Sequence, residues 1–211
     1  TTTTATQILV DDGLEALTRL ARGVIEEARR ESALQVVALT GSNGKTSTKD
    51  ILAQLLEDRG ATIAPVGSFN NEIGVPLTAC RVDSDTRFLV SEMGARGLGH
   101  IAWLCQIVPP DVAMVLNVGV AHVGEFGSRE GIAQAKAEIV DGLSHTGWAV
   151  LNLDDHRVRA MESLTPARIA WFSADPELDE DSAAQKAVAR EGLLVHARDL
   201  HPDELQRFGF E

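Results

Sequence analysis

VVALTGSNGKTSTKDI, residues 36–51, is the stretch that decides the fold. The apolar run Val36, Val37, Ala38 and Leu39 reads as a buried strand, and Thr40, Gly41, Ser42, Asn43 and Gly44 read as a tight turn of small residues. From Lys45 onward a helix follows, with Ile51, Leu52, Leu55 and Leu56 on one face. Strand, glycine turn, lysine, hydroxyl and helix are the parts of a phosphate-binding loop. Backbone N–H groups at a helix N-terminus point at anionic oxygens, and glycine lets the chain approach without a Cβ in the way. In that reading Lys45 reaches the β- and γ-phosphates, and the Thr46 hydroxyl is a Mg²⁺ ligand. The strict spacing G-x-x-x-x-G-K-[ST] is not met, because Leu39 stands where its first glycine belongs. A plain Gly/Asn/Ser turn between strand and helix is the competing reading.

Around this loop the chain supplies a parallel α/β pattern. Asp11-Asp12 cap a helix from about 13 to 31, in which Leu14, Leu17, Leu20, Ala21, Val24, Ile25 and Ala28 recur at helical spacing. Ile8–Val10 reads as a short strand before it. After the helix at 45–59, with Gly60 as its C-cap, strands are expected at 61–64, 87–92, 111–118, 148–151 and 168–172. Helices are expected at 100–108, 129–143 and 154–163, and a helix or turn up to Cys80. The unbroken apolar run DVAMVLNV (111–118) is the mark of a parallel strand covered on both faces. Gln185–Arg190 and Leu193–Ala197 alternate like a small antiparallel hairpin around Glu191-Gly192. The fold class is therefore α/β: a doubly wound, mainly parallel sheet with helices on both faces, of the phosphate-loop type, with that hairpin near the C-terminal end.

Composition narrows the partners. A 44% hydrophobic chain of 211 residues can bury a full core, and a formal charge of −12 provides no basic stripe for nucleic acid or for an anionic membrane surface. Nucleotides stay open, since local dipoles, one lysine and metal ions suffice for them. Cys80 and Cys105 are the only cysteines and suit a reducing compartment. No apolar run approaches 18 residues and no charged-then-apolar leader opens the chain, so neither a membrane span nor a signal peptide is expected. The opening TTTTATQ reads as a cut-in point or loop.

In open parallel sheets ligands sit at the carboxyl ends of the strands. The expected strand ends carry the loop at 40–47, then Ser91-Glu92-Met93-Gly94, then Asn117 to His122, then Asn152, Asp154 and Asp155. Glu92 is a candidate Mg²⁺ ligand, since hard cations take carboxylate oxygen; it could equally cap a neighbouring loop. His122 is an unusual Mg²⁺ ligand and could be merely solvated. Lys136, flanked by alanines on a helix, reads by itself as a side chain that snorkels to solvent. Arg96 could meet phosphate. Trp103, Trp148, Trp171, Phe88 and Phe172 read as core, Phe126 as a ligand wall or packing, and His100, His145, His156, His196 and His201 as surface.

Six phrases in order, TGSNGKTSTK (40–49), FNNEIGVP (69–76), SEMGA (91–95), NVGVAHVGEFGS (117–128), AKAEI (135–139) and LNLDD (151–155), resemble the central ATPase domain of the Mur ligases. The likeness is strong over 36–172, and in that family too the first phosphate-loop position is not glycine. GSNGKTSTK, NNEIGVP and FGS are most similar to the branch that adds D-alanyl-D-alanine to UDP-MurNAc-tripeptide. The resemblance implies an ATP-dependent, ADP-forming amide ligase of peptidoglycan synthesis working through an acyl phosphate, in the bacterial cytoplasm, as a monomer, with no nucleic acid and no membrane insertion.

It also implies roles. Thr40, Gly41, Ser42, Asn43, Gly44, Lys45, Thr46 and Ser47 line the ATP phosphates, and Asn152 and Asp155 approach the nucleotide. Two Mg²⁺ ions are held by Thr46, Glu92, His122 and Lys136, the last as a carbamate formed with CO₂. Lys45, Lys136 and His122 serve catalysis, and Asn70 and Asn71 contact the muramoyl-peptide. Residues 1–33 are expected to be the tail of an N-terminal UDP-substrate domain plus a linker helix, and 34–211 the central ATP-binding domain, with the family's C-terminal domain absent. Such a fragment is expected to bind ATP without full activity. Two other readings remain: another Mur or folylpolyglutamate-type ligase, and a nucleotide-binding module without turnover.

Overall fold

The computed structural model describes residues 8–119, 126–178 and 192–197. Among them the chain begins with helix α1 (Gly13–Glu31), whose Asp12 cap accepts from the Leu14 and Glu15 amides at 2.8 and 3.0 Å. Strand β1 (Gln35–Thr40) leads through the glycine turn into helix α2 (Lys45–Glu57). Then follow β2 (Thr62–Ile63), α3 (Gly74–Ala79), β3 (Phe88–Glu92), α4 (His100–Ile107) and β4 (Val112–Val115). The order closes with α5 (Arg129–Asp141), β5 (Trp148–Asn152), α6 (His156–Ala160) running into a 3₁₀ turn (Met161–Leu164), β6 (Arg168–Ser173) and β7 (Leu193–His196).

The strands form one sheet in the order β2-β3-β1-β4-β5-β6-β7, and every neighbouring pair is parallel. The chain winds from β1 out to β2, back to β3, and crosses over β1 to β4. The order therefore reverses at β1, between β3 and β4, which is where open α/β sheets place their ligand crevice. One face carries the main core, where Val36, Ala38, Leu89, Ala113, Val115, Leu151 and Trp171 meet α3, α4 and α5, with Ala21, Ile25 and Ala28 of α1 packed in. On the other face Leu39, Val90 and Leu116 meet Ala53 of α2.

Five expectations need correction. Ile8 and Leu9 are almost fully exposed and form no strand, since no partner lies beside them among the described residues. The helix expected to close at Gly60 is capped at Asp58. β4, expected to be covered on both faces, alternates between buried Ala113 and Val115 and half-buried Val112 and Met114. β5 and β6 alternate likewise, so Trp148 and Phe172 are only partly buried. Finally, Leu193–His196 pairs in parallel with β6 rather than in an antiparallel hairpin. The other expected arm, 185–190, lies outside the described residues. A parallel partner needs no adjoining turn, so the local alternation could not distinguish the two pairings.

Candidate functional site

The crevice at the reversal point is lined first by the turn after β1. Thr40 is fully buried, and its Oγ1 finds no hydrogen-bond partner among the described residues. Gly41 has no room for a side chain, because a Cβ there would stand 2.9 Å from Leu116 Cβ. Gly44 takes φ +79°, the left-handed region that glycine enters without penalty, and heads α2 with no side-chain cap. The first-turn amides from Lys45 to Ser47 therefore have no side-chain acceptor, and the positive end of the helix dipole faces the crevice. Lys45 folds back over this turn and donates to Gly41 O at 2.8 Å. Thr46 is half-buried and Ser47 exposed in the same turn.

Ser42 and Asn43 are differently engaged. Their N–H groups both donate to Asn117 Oδ1 at 3.0 Å, and Ser42 Oγ accepts from Gly119 N at 2.8 Å. The end of β4 is tied in turn to β5: Asn152 Nδ2 donates to Leu116 O at 2.8 Å, and Asp155 Oδ2 accepts from Val118 N at 2.7 Å. Asp155 Oδ1 caps α6 through Arg157 N. Asn152 and Asp155 thus stand at the same rim as the loop, with these side-chain atoms bonded to the protein backbone.

The third wall comes from β3. Leu39 and Glu92 are register partners across β1 and β3, which sets Glu92 beside the phosphate turn. Its side chain is 1% exposed. Asn70 Nδ2 donates to Glu92 Oε1 at 2.6 Å, while Glu92 Oε2 is buried with no hydrogen-bond partner among the described residues. A buried, half-paired carboxylate is costly unless something positive completes it, and an oxygen donor of that kind suits a hard divalent cation. Asn71 caps α3, accepting from Gly74 N at 2.9 Å. The 65–67 turn before these asparagines is pinned by Lys49, which is 2% exposed and donates to Pro65 O at 2.8 Å and Gly67 O at 3.2 Å.

Lys136 departs from the snorkelling expected of its sequence context. It is 6% exposed on α5, and burial first, then the charge of Lys45, bring its ammonium down to about 8. Its neighbour Glu138 takes the Gly99 and Ala102 amides at 2.6 and 3.0 Å, capping α4 from across the interface. His122 lies outside the described residues. Among the described residues no three His, Cys, Asp or Glu side chains gather into a metal cluster. Arg96 pairs with Glu72 at 3.4 Å rather than standing free for phosphate, and His100, expected at the surface, is partly buried, 3.5 Å from Glu72 and stacked on Trp103.

The sequence reading placed Asn117 on the strand-end rim without giving it a role, and missed Lys49 and Glu138. Lys49 carried a signal, since it lies one helical turn after Lys45. The bonds of Asn117 and Glu138 carried none, because their partners are distant in the chain.

Residues 39–202 match the family model of the Mur ligase middle domain. The chain is 46% identical over 192 residues to the UDP-N-acetylmuramoyl-tripeptide–D-alanyl-D-alanine ligase of Mycobacterium tuberculosis, covering 90% of this chain and 38% of that protein. It is similar to crystal structures of MurF from Acinetobacter baumannii (TM-score 0.72, 36% identity, 79% of this chain and 36% of that one) and of MurF ligase from Thermotoga maritima in complex with ADP (TM-score 0.71, 36% identity, 83% and 40%). The chain spans about two fifths of the length of these relatives. With the strand order, the phosphate turn and this match over most of its length, the chain belongs to the Mur ligase family, whose middle domain it contains.

Proposed function

We propose that this chain is the ATP-binding part of an ADP-forming amide ligase that joins D-alanyl-D-alanine to UDP-MurNAc-tripeptide in bacterial peptidoglycan synthesis. The observation that carries the reading is the buried, unpaired Glu92 Oε2 held beside an uncapped helix N-terminus and Lys45 at the reversal point of the sheet. The likeness to ligases of that name, one of them solved with ADP, supports it.

In this reading Gly41, Gly44 and the amides of Lys45, Thr46 and Ser47 hold the phosphates, with Thr40, Ser42 and Asn43 shaping the turn. Lys45 leaves Gly41 O and turns to the β/γ-phosphate oxygens, where its charge offsets the negative charge that spreads during transfer. The tripeptide's terminal carboxylate, positioned by Asn70 and Asn71, takes the γ-phosphoryl group and ADP leaves. The amine of D-alanyl-D-alanine then attacks the acyl carbon and phosphate leaves. Thr46, Glu92, His122 and Lys136 would hold two Mg²⁺, which when bound neutralise phosphate charge. Asn152 and Asp155 fix the rim toward the nucleotide.

Lys136 fits a carbamate. Carbon dioxide adds only to a neutral amine, and burial beside Lys45 favours that form. The product is an anion, which suits a site next to a divalent metal. Residues 1–33 are read as the end of a UDP-substrate domain with its linker helix, and 34–211 as the ATP-binding unit. The ligase is read as a monomer of the cytoplasm; both cysteines are free, as a reducing compartment allows, and no described helix is long and apolar enough to cross a membrane.

The test is a product assay on the whole ligase with UDP-MurNAc-tripeptide and ATP. ADP release that depends on D-alanyl-D-alanine, above other amines, is expected. Equal turnover with another amine would move the chain to a different ligase branch, and ATP binding with no amine-dependent turnover would make it a nucleotide-binding module.

A further inference from the structure

The phosphate loop is built at the end of β1, but the side chain that touches most of it stands at the end of β4. Asn117 Oδ1 takes the N–H groups of Ser42 and Asn43, both at 3.0 Å. Its backbone carbonyl takes Ser42 N–H as well, at 3.1 Å, and its Nδ2 donates to Asn43 O at 3.1 Å. Two residues on, Gly119 N–H reaches Ser42 Oγ at 2.8 Å, and a Cβ on Gly119 would stand 3.2 Å from Ser42 Cβ. This strand end is itself fixed from β5 through Leu116 O and Val118 N. Asn117 thus joins the ends of β1 and β4 at the reversal point. It also consumes two consecutive amides that would otherwise be free to turn to an anion.

We infer that Asn117 is a positioning residue for the nucleotide phosphates, holding Ser42 and Asn43 so that Gly44 can take its left-handed turn and the first-turn amides of α2 are what meets the ligand. The inference rests on the proposed ATP site. Its rival is that Asn117 Oδ1 merely stands in for a phosphate oxygen and is displaced when nucleotide arrives. The two make opposite predictions. A brace, when removed, weakens nucleotide binding. A placeholder, when removed, leaves binding unchanged or tightens it.

The experiment is calorimetric titration of Mg²⁺-ATP into the 211-residue chain, with amide hydrogen exchange read at Ser42 and Asn43. Asn117→Ala is expected to weaken ATP about tenfold or more, roughly 1.4 kcal/mol or above, and to lose protection at both amides. Asn117→Asp keeps the accepting oxygen and should retain that protection. Arg29→Ala removes the Arg29 bonds to Pro109 O and Asp111, far from the loop, and is the control for general destabilisation. Its ATP affinity is expected to match wild type. Unchanged or tighter ATP binding in Asn117→Ala overturns the inference alone, as does an equal loss in Arg29→Ala. A wild-type chain that binds no ATP overturns the functional reading and the inference with it.

Discussion

Asn70 pairs with one oxygen of Glu92 at 2.6 Å and leaves the other buried and unpaired. Half of this carboxylate is thereby fixed in place, and half is left for a cation. Glu92→Gln removes a buried charge that lacks full compensation, so the fold should not suffer: melting within a few degrees of wild type, or higher, is expected. The affinity for ATP in the presence of Mg²⁺ should fall about tenfold, roughly 1.4 kcal/mol, with little change in EDTA. Calorimetry under both conditions checks this. An equal loss with and without metal would assign Glu92 to the loop rather than to a cation.

Lys49 holds the turn that carries Asn70 and Asn71. Lys49→Met keeps the buried stem but strands the carbonyls of Pro65 and Gly67. A cost of about 1–3 kcal/mol in urea unfolding is expected. In the whole ligase KM for the muramoyl-peptide should rise more than KM for ATP. A stability loss with no change in either KM would confine Lys49 to structure.

Glu72 gives the fold an acid-sensitive contact. Its own backbone N–H, then Arg96 and His100, hold the carboxyl below its ordinary value of 4.5, against burial, which raises it. As pH falls the unfolded chain takes up this proton before the folded one does. The contribution is therefore complete above about pH 4.5 and is lost as pH drops through the lower folded value. Urea melts from pH 6 to pH 3 should show the gap between wild type and Glu72→Gln closing toward the acid end. A constant gap would contradict the pairing.

The two thiols should differ in reactivity. Cys105 is buried against Met93, and burial, with the charge of Glu138, pushes its thiol up to about 12. Cys80 is only partly buried, and burial raises its thiol too. A disulfide reagent at pH 8 should label Cys80 slowly and Cys105 only after unfolding, because the thiolate is the nucleophile. Rapid labelling of Cys105 in the native protein would show that α4 opens.

What could be seen in the sequence was local. The spacing of Leu17, Ala21, Val24, Ile25 and Ala28 gave α1, with its cap placed at Asp11-Asp12, although Leu20 in the same pattern stays exposed, and Val36 to Ile51 gave the strand, turn and helix of the phosphate loop. Glu92, Asn70 and the loop came together because every parallel strand delivers its carboxyl end to one rim. What could not be seen depended on distant partners. Leu193–His196 alternates in the same way whichever direction its neighbour runs. Lys136 and Lys49 are long cations on helices, and although Lys49 lies one turn after Lys45 on the loop's own helix, residue type alone sends such side chains to solvent. Only the packing of α5 and the carbonyls of the 65–67 turn reveal that these two are buried. The bond of Asn117 to Ser42 and Asn43 spans more than seventy residues of chain and leaves no mark in spacing.

The central claim is that the turn from Thr40 to Ser47 binds nucleotide phosphates through Lys45 and the head of α2. Titration of Mg²⁺-ATP into the 211-residue chain and into Lys45→Ala tests it most directly. Saturable one-to-one binding is predicted for wild type. For Lys45→Ala, with an unchanged circular dichroism spectrum, binding is predicted to weaken by about tenfold or more, roughly 1.4 kcal/mol or above. Equal affinity in the two proteins, or no binding to wild type, would contradict it.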